Sequence, residues 1–337
     1  MKQLKQIALL VLALGSVVQA GAVQAADVHR SAEDPNLVWT ASQVVLKSKE
    51  MGPGVFMVYP DDAEGKNKAG IPVATSGGFI IGDDGVLVID SMLNRRLATQ
   101  LIGLIRAKTD KPIRYIVNTS YHGDHSYGNQ FFPREVAIIQ HEATQSYIQS
   151  HFADDVKFMS TYFGKNQGLD ELRPRRANLL LSDGGRLQID LGRQKVEVMH
   201  LGFAQTKGDL FVWAPQQKVM FTGNPVIAMP PALPWLLDGH MVESTATLKK
   251  LRTLLPENAK IVPGHGVPTD VSTLDFNLRY LDTLREQVQA AIDRNLSEKD
   301  TAATVQMDEF KGYKLFPWVH SQMNVVKAYQ ELKGQAK

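Results

Sequence analysis

The stretch VNTSYHGDHSYGN, residues 117–129, places two histidines and an aspartate within four residues on a glycine-containing turn. The imidazoles of His122 and His125 and the carboxylate of Asp124 compete for the same hydrogen-bond partners unless an electrophile gathers them. A divalent cation does so, because imidazole and carboxylate are common metal ligands. Short clusters of this kind also occur in polar surface loops, so the spacing alone leaves both interpretations open.

A third histidine lies far along the chain, in the segment IVPGHG, residues 261–266. His265 follows a short apolar run on a turn of proline and glycine, which is typical of a strand end. Taken alone it is a loop histidine, but side chains at neighbouring strand ends converge in α/β sheets, so it is a candidate third ligand. The chain contains no cysteine, so any metal must be held by histidine, carboxylate or amide groups.

The elements that would position these residues alternate between strands and helices. Residues 76–91 predict a β-hairpin, residues 97–107 have apolar side chains at helical spacing, and residues 112–118 predict a buried strand that ends at the histidine cluster. The second half of the chain predicts four strands (LQIDLG, VEVMHLG, DLFVWAP and KVMFTGN), a helix over 242–255, the strand before His265, a helix over 271–294 and shorter helices within 301–333. Residues 153–178 lack a clean period, which favours a flap or insertion over a site.

Length, charge and the first residues restrict the class of protein. The 337 residues, 44% of them hydrophobic, suit one large globular domain or two small ones, and a net charge of +2 without basic runs argues against nucleic-acid binding. Residues 1–25 combine two lysines, a short apolar run and small residues, which predicts a secretory signal peptide. We therefore expect a periplasmic or secreted protein, with no stable membrane insertion after cleavage and a polar surface segment over residues 26–54.

Four motifs resemble those of the metallo-β-lactamase superfamily in type and order. They are SYHGDH (residues 120–125), AQTKGD (204–209), MFTGN (220–224) and PGHG (263–266). The resemblance extends from residue 55 to about residue 271 and implies an α/β fold of the αββα type, with two packed β-sheets and helices on both outer faces. Together with the helices predicted after residue 271, this gives a family-like domain at residues 55–300 and a C-terminal helical extension packed on it at 301–337.

The first metal position of the family is altered in this sequence. The resemblance assigns it to the first two histidines of the first motif and the histidine of the second, which here are Ser120, His122 and Gln205. The aspartate that bridges two metals in the family is Asn224, a neutral amide. A site with a single imidazole is too poor to hold zinc, so we expect this position to be empty.

The second metal position is complete. Its family ligands correspond to Asp124, His125 and His265, and two imidazoles with one carboxylate are enough for one zinc ion with an open coordination position. The same set also suits ferrous iron, but zinc is favoured for an exported protein of this fold. We therefore predict one Zn²⁺ per chain.

The resemblance and these substitutions lead to two hypotheses on function. The first is an exported hydrolase that cleaves a small-molecule lactam, ester or thioester, in which His122 and Asp124 position and deprotonate water. Gln205 and Asn224 would then hydrogen-bond the substrate oxyanion. The second is a catalytically degenerate binding or accessory protein of the periplasm, which would bind a periplasmic protein partner.

Overall fold

The computed structural model describes residues 39–163 and 166–334, so the predicted signal peptide and the segment up to residue 38 lie outside the described residues. The strands are β1 (Leu46–Gly52), β2 (Val55–Pro60), β3 (Gly77–Ile81), β4 (Val86–Ile89), β5 (Ile113–Val117), β6 (Ala137–His141), β7 (Leu179–Leu181), β8 (Arg186–Asp190), β9 (Lys195–Met199), β10 (Phe211–Ala214), β11 (Val219–Gly223), β12 (Lys260–Pro263) and β13 (Thr269–Asp270). The α-helices are α1 (Ala63–Lys68), α2 (Arg95–Arg106), α3 (Gly123–Ser126), α4 (Glu142–Phe163), α5 (Met241–Leu254), α6 (Val271–Asp293), α7 (Glu298–Thr304) and α8 (Val325–Leu332). A π-helix, Pro317–Asn324, precedes α8.

The strands form two mixed sheets. The first has the order β1-β2-β3-β4-β5-β6-β7, antiparallel as far as β4 and parallel from β4 to β7. The second has the order β13-β12-β11-β10-β9-β8, with β11 and β12 parallel and the other pairs antiparallel. Parallel neighbours end at the same edge of a sheet, which is where the candidate ligands were expected.

Alternating side chains divide the protein into layers. In the β3–β4 hairpin, Ile80 and Leu87 belong to the core between the sheets, whereas Phe79 and Val88 belong to the core that includes α2. Both sets are fully buried, because the sheet is covered on both faces. A third core joins the other face of the second sheet to α5, α6 and the C-terminal helices. The predicted αββα sandwich is therefore confirmed.

Two local expectations were wrong. Leu46–Gly52, expected within the polar surface segment, is an edge strand of the first sheet. Only Leu46 and Met51 are buried, so the strand lacks a regular alternation of buried and exposed side chains. Residues 153–163, expected to form a flap or insertion over a site, are helical and continue α4, although Asp155 and Phe158 do line the cavity of the candidate site. None of the described helices combines the length and apolar character needed to cross a bilayer.

Candidate metal centre and active site

The predicted ligands meet where strands from both sheets end. Asp124 and His125 lie in the short helix α3, which comes after β5, and His265 follows β12. Thr75 connects the two sheets at this point, because its backbone forms a β-bridge with His265 and its hydroxyl donates to Asp124 Oδ2. Gly264 allows the backbone after β12 to pass close to the side chain of Asn224, since a Cβ atom at this position would overlap Oδ1 of Asn224.

Asp124, His125 and His265 lie within ligand distance of a common point. One potential ligand atom from each residue lies within 4.8 Å of the others. Asp124 Oδ2 is 3.6 Å from Nε2 of His125 and 3.6 Å from Nε2 of His265. The His125 side chain is fully buried, whereas those of Asp124 and His265 are each 16% exposed, so the group lies at the floor of an opening.

The second nitrogen of each imidazole is held by an acceptor. His125 Nδ1 lies 2.7 Å from Oδ2 of the buried Asp90, and His265 Nδ1 lies 3.0 Å from the carbonyl oxygen of Val73. Both acceptors require a proton on Nδ1, so in the neutral form of each ring, the form that binds a metal, the lone pair lies on Nε2. Nε2 of His125 is buried and has no hydrogen-bond partner. Metal-binding histidines have this arrangement, so the residues fit a divalent cation.

The electrostatics of the cluster also favour a cation. Burial would lower the pKa of His125, but Asp124 and Asp90 outweigh it and raise that pKa to about 9. Burial would likewise raise the pKa of Asp124, yet the imidazoles of His125 and His265 hold it at about 2. Burial lowers the pKa of His265 to about 4, so this imidazole is neutral at pH 7. The group therefore stabilises positive charge beside an ionised carboxylate.

A second cluster in the described part of the chain provides a contrast. His141, Asp183 and His200 also offer atoms within 4.8 Å of one another. Here, however, Nδ1 of His141 and Nδ1 of His200 accept hydrogen bonds from the backbone N–H groups of Ala143 and Gly184, each at 3.0 Å. The proton of each neutral ring must then lie on Nε2, which removes the lone pair that a metal needs. This arrangement suits hydrogen bonding to a carboxylate and does not suit metal ligation.

The substituted family positions form a polar floor beside the predicted ligands. Ser120 is fully buried, and both amide atoms of Gln205 are buried without a hydrogen-bond partner. Asn224 donates from Nδ2 to Nδ1 of His122 at 2.8 Å, while its Oδ1 is buried without a partner. Unpaired buried amides cost about 1–3 kcal/mol each, so these groups are expected to gain partners when a ligand binds.

His122 belongs to a different pair than the sequence suggested. Because an amide N–H can only donate, Nδ1 of His122 is an acceptor and its proton lies on Nε2, 3.5 Å from Oδ2 of Asp238. Tyr121 donates to the other oxygen of Asp238. Burial opposes a charge on His122, but Asp238 outweighs it and raises the pKa of this imidazole.

Sequence reasoning missed Asp90, Asp238 and Thr75. Asp90 has a recognisable sequence signal, because this carboxylate directly follows the apolar strand β4. In the structure it adopts a left-handed backbone conformation (φ 61°), which non-glycine residues rarely do. Asp238 lies in the segment PPALPWLLDGH, residues 230–240, which belongs to none of the four motifs. Nothing in the local sequence distinguishes Thr75, whose role depends on contact between two distant loops.

A cavity of about 390 Å³ opens above these groups. Its floor includes His122, Asp124 and His265, and its wall includes Trp235 and Trp318, which contact edge to face with ring centroids 5.1 Å apart. Helix α4 and the loop over residues 227–238 complete the wall.

The π-helix supports this loop from behind. Asn324 accepts from the backbone N–H of Leu236 at 3.0 Å and donates to the carbonyl of Pro234 at 2.7 Å. His240 does not line the cavity and packs on Phe203 instead.

Comparisons with known proteins give a consistent result. The family model of the metallo-beta-lactamase superfamily matches residues 70–265, more than half of the chain. A metallo-beta-lactamase type 2 from Bacillus sp. (strain 170) is 22% identical over 217 residues, which are 64% of this chain and 75% of that protein.

Solved structures share the fold at low sequence identity. A metallo-beta-lactamase from Pontibacter korlensis is 19% identical with a TM-score of 0.53, over 71% of this chain and 99% of its own. The stereoselective inverting sec-alkylsulfatase Pisa1 from Pseudomonas sp. is 16% identical with a TM-score of 0.66, over 86% of this chain and 50% of its own.

Proposed function

The chain belongs to the metallo-beta-lactamase superfamily, and we propose that it is an exported hydrolase that uses one zinc ion to cleave a carbonyl substrate. One observation carries the proposal: Nδ1 of His125 and of His265 is held by an acceptor, so both Nε2 lone pairs converge with the carboxylate of Asp124 at the floor of a cavity. The proposed export, to the periplasm or out of the cell, is supported by residues 1–25, which resemble a signal peptide.

The proposed metal ligands are Asp124, His125 and His265. The buried Oδ1 of Asn224, which has no other partner, offers a neutral oxygen next to them. Zinc bound there would supply Lewis acidity that polarises a substrate carbonyl. We assign Asp124 to the metal and not to proton transfer, because a carboxylate with a pKa of about 2 is a weak base at neutral pH.

Proton transfer is assigned to His122 together with Asp238. His122 lines the cavity and holds a proton at Nε2, which it would give to the leaving group. Oδ2 of Asp238, 3.5 Å from Nε2 of His122, would accept a proton from a water molecule that enters the cavity. The amide of Gln205, unpaired at both atoms, would donate to the carbonyl oxygen as its negative charge develops.

The first test combines metal content with hydrolysis. We expect the purified protein to contain about one zinc per chain by plasma mass spectrometry, and His265→Ala to lose it because one of three protein ligands is removed. His200→Ala is the matched control, since it removes an equally buried histidine from the cluster whose tautomers do not suit a metal. Loss of zinc from the control, or retention in His265→Ala, would contradict the assignment.

The second test separates chemistry from metal binding. His122→Ala should keep zinc but lose hydrolysis of simple esters and lactams, because it removes the proposed proton donor. Full activity in this variant would show that the assignment to His122 is wrong.

The substitutions at Ser120, Gln205 and Asn224 favour a second candidate, a binding or accessory protein without catalysis. It would be supported by a zinc-loaded protein that binds small carbonyl compounds and hydrolyses none of them.

A further inference from the structure

The charge of the cavity restricts the substrates that it can accept, and this inference rests on the proposed function. No lysine or arginine occurs among the described residues that line the cavity. The lining carries three carboxylates, Asp124, Asp155 and Asp238. Among the described lining residues, positive charge is therefore confined to the floor, at the proposed zinc ion and His122, and an anionic group held against the wall would meet carboxylates and no lysine or arginine.

Two tyrosines that line the cavity already donate to carboxylates. Tyr121 donates its hydroxyl proton to Asp238, and Tyr147 donates its proton to Asp155 at 3.1 Å. Asp155 also accepts from Tyr127, behind the cavity wall, at 2.7 Å. A hydroxyl that donates to a carboxylate has no further proton for a ligand. The side chains that most often stabilise a bound carboxylate or phosphate are therefore absent or already in use among the described lining residues.

The rest of the wall is aromatic and apolar. Tyr121 and Tyr147 stack with ring centroids 3.7 Å apart, next to the edge-to-face pair of Trp235 and Trp318. Phe158, on α4, is 51% exposed and lines the same cavity. Such surfaces bind apolar groups, and aromatic faces near carboxylates also accept organic cations.

We propose that the cavity selects carbonyl substrates with an apolar body and no anionic group, such as neutral esters, and that it discriminates against lactams and thioesters carrying a carboxylate or phosphate. The polar groups of the floor would bind the reacting carbonyl, and the wall would contact the remainder of the substrate. A positively charged substituent is tolerated, because it faces carboxylates and aromatic rings.

The test uses zinc-loaded protein and three 4-nitrophenyl esters with four-carbon acyl chains: butyrate, hydrogen succinate and 4-(trimethylammonio)butyrate. The rate without protein is subtracted for each ester, because the free carboxylate of the succinate attacks its own ester. We expect kcat/KM for the succinate ester to be at least about tenfold below that of the butyrate, with the cationic ester within about threefold of the butyrate. A succinate ester hydrolysed as fast as the butyrate would overturn the inference.

Binding of the corresponding anilides, which resist hydrolysis, separates this inference from the proposed function. Their dissociation constants follow from tryptophan fluorescence, because Trp235 and Trp318 line the cavity. If no ester is cleaved but the neutral anilide binds at least about tenfold more tightly than the succinyl anilide, hydrolysis fails and the charge selection stands. Equal binding of the two anilides, or binding of none, would refute the selection whatever the activity.

A single substitution should alter the preference. Phe158→Lys adds a positive charge at an exposed position of the cavity, and Phe158→Leu is the matched control without charge. We expect the lysine variant to shift the succinyl-to-butyryl binding ratio by about fivefold towards the anion, from a charge interaction screened by water. An unchanged ratio in the lysine variant would contradict the electrostatic explanation.

Discussion

Replacing Asp90 with asparagine should weaken zinc binding without removing any ligand. The Asp90 carboxylate is buried and accepts three hydrogen bonds, from Thr119 N at 2.8 Å, Thr119 Oγ1 at 2.8 Å and His125 Nδ1 at 2.7 Å. In Asp90→Asn, one oxygen can keep the bond from Thr119 N, but the amide N–H₂ then faces the N–H of His125. His125 can avoid this clash only by moving its proton to Nε2, which removes the lone pair needed for the metal.

The expected loss is about 10–100-fold in zinc affinity, or roughly 1.4–2.7 kcal/mol. The metal-free protein should lose a further contribution of about 1.5–3 kcal/mol in unfolding free energy, because a charge-assisted hydrogen bond disappears. Competition with a chromophoric zinc chelator measures the dissociation constant, and urea denaturation of the metal-free form measures stability.

Thr119→Val distinguishes the tautomer explanation from general destabilisation. This variant removes one hydrogen bond to the same carboxylate but leaves the bond between Asp90 and His125 intact. It should lose about 1 kcal/mol of stability and keep its zinc affinity within about threefold. The reasoning is refuted if Asp90→Asn binds zinc as tightly as the parent, or if both variants lose zinc affinity equally.

Three further predictions concern other parts of the molecule. Ser120→His combined with Gln205→His should raise the zinc content from about one to about two per chain; a folded double variant that still holds one would contradict our explanation of the altered site. Burial raises the pKa of Asp209 to about 7, above its value of about 3.9 in the unfolded chain, so stability should fall as pH rises from about 4 to about 7. Asp209→Asn should reduce this dependence of the unfolding free energy on pH, by at most about 1.4 kcal/mol per pH unit, as measured by urea denaturation at several pH values. An unchanged pH dependence would count against the raised pKa of Asp209. Tyr280→Phe leaves Nδ1 of the buried His320 unpaired and should cost about 1–3 kcal/mol; a change in unfolding free energy below about 0.5 kcal/mol would argue against that hydrogen bond.

The sequence predicted those parts of the fold that depend on local patterns. The hairpin over residues 76–91 has turn residues between apolar runs, and α2 has buried side chains at helical spacing, so both were identified. The second half of helix α4 was not predicted, because Ile148 packs in the core whereas Asp155 and Phe158 face the cavity, which leaves no single apolar stripe. The edge strand β1 was missed for a similar reason.

The candidate site was predictable in its components and not in its pairing. Ligand-type residues at strand ends indicated where Asp124, His125 and His265 would meet, and the structure brings them together. The pairing of His122 with Asp238 joins residues 116 positions apart and depends on how the loop folds back, which no local pattern encodes. Which imidazole nitrogen carries the proton depends on acceptors such as Asp90, and these are visible only once distant strands are packed.

The separate origin of the floor and the wall affects how this protein can change in evolution. The floor comes from strand ends that are fixed by both sheets, whereas much of the wall comes from the loop held by Asn324 of the π-helix. Substitutions in the π-helix and this loop can therefore reshape the space around a substrate while the groups at the strand ends stay in place. Variants confined to residues 227–238 and 317–324 should accordingly change substrate preference and keep the metal content of the parent.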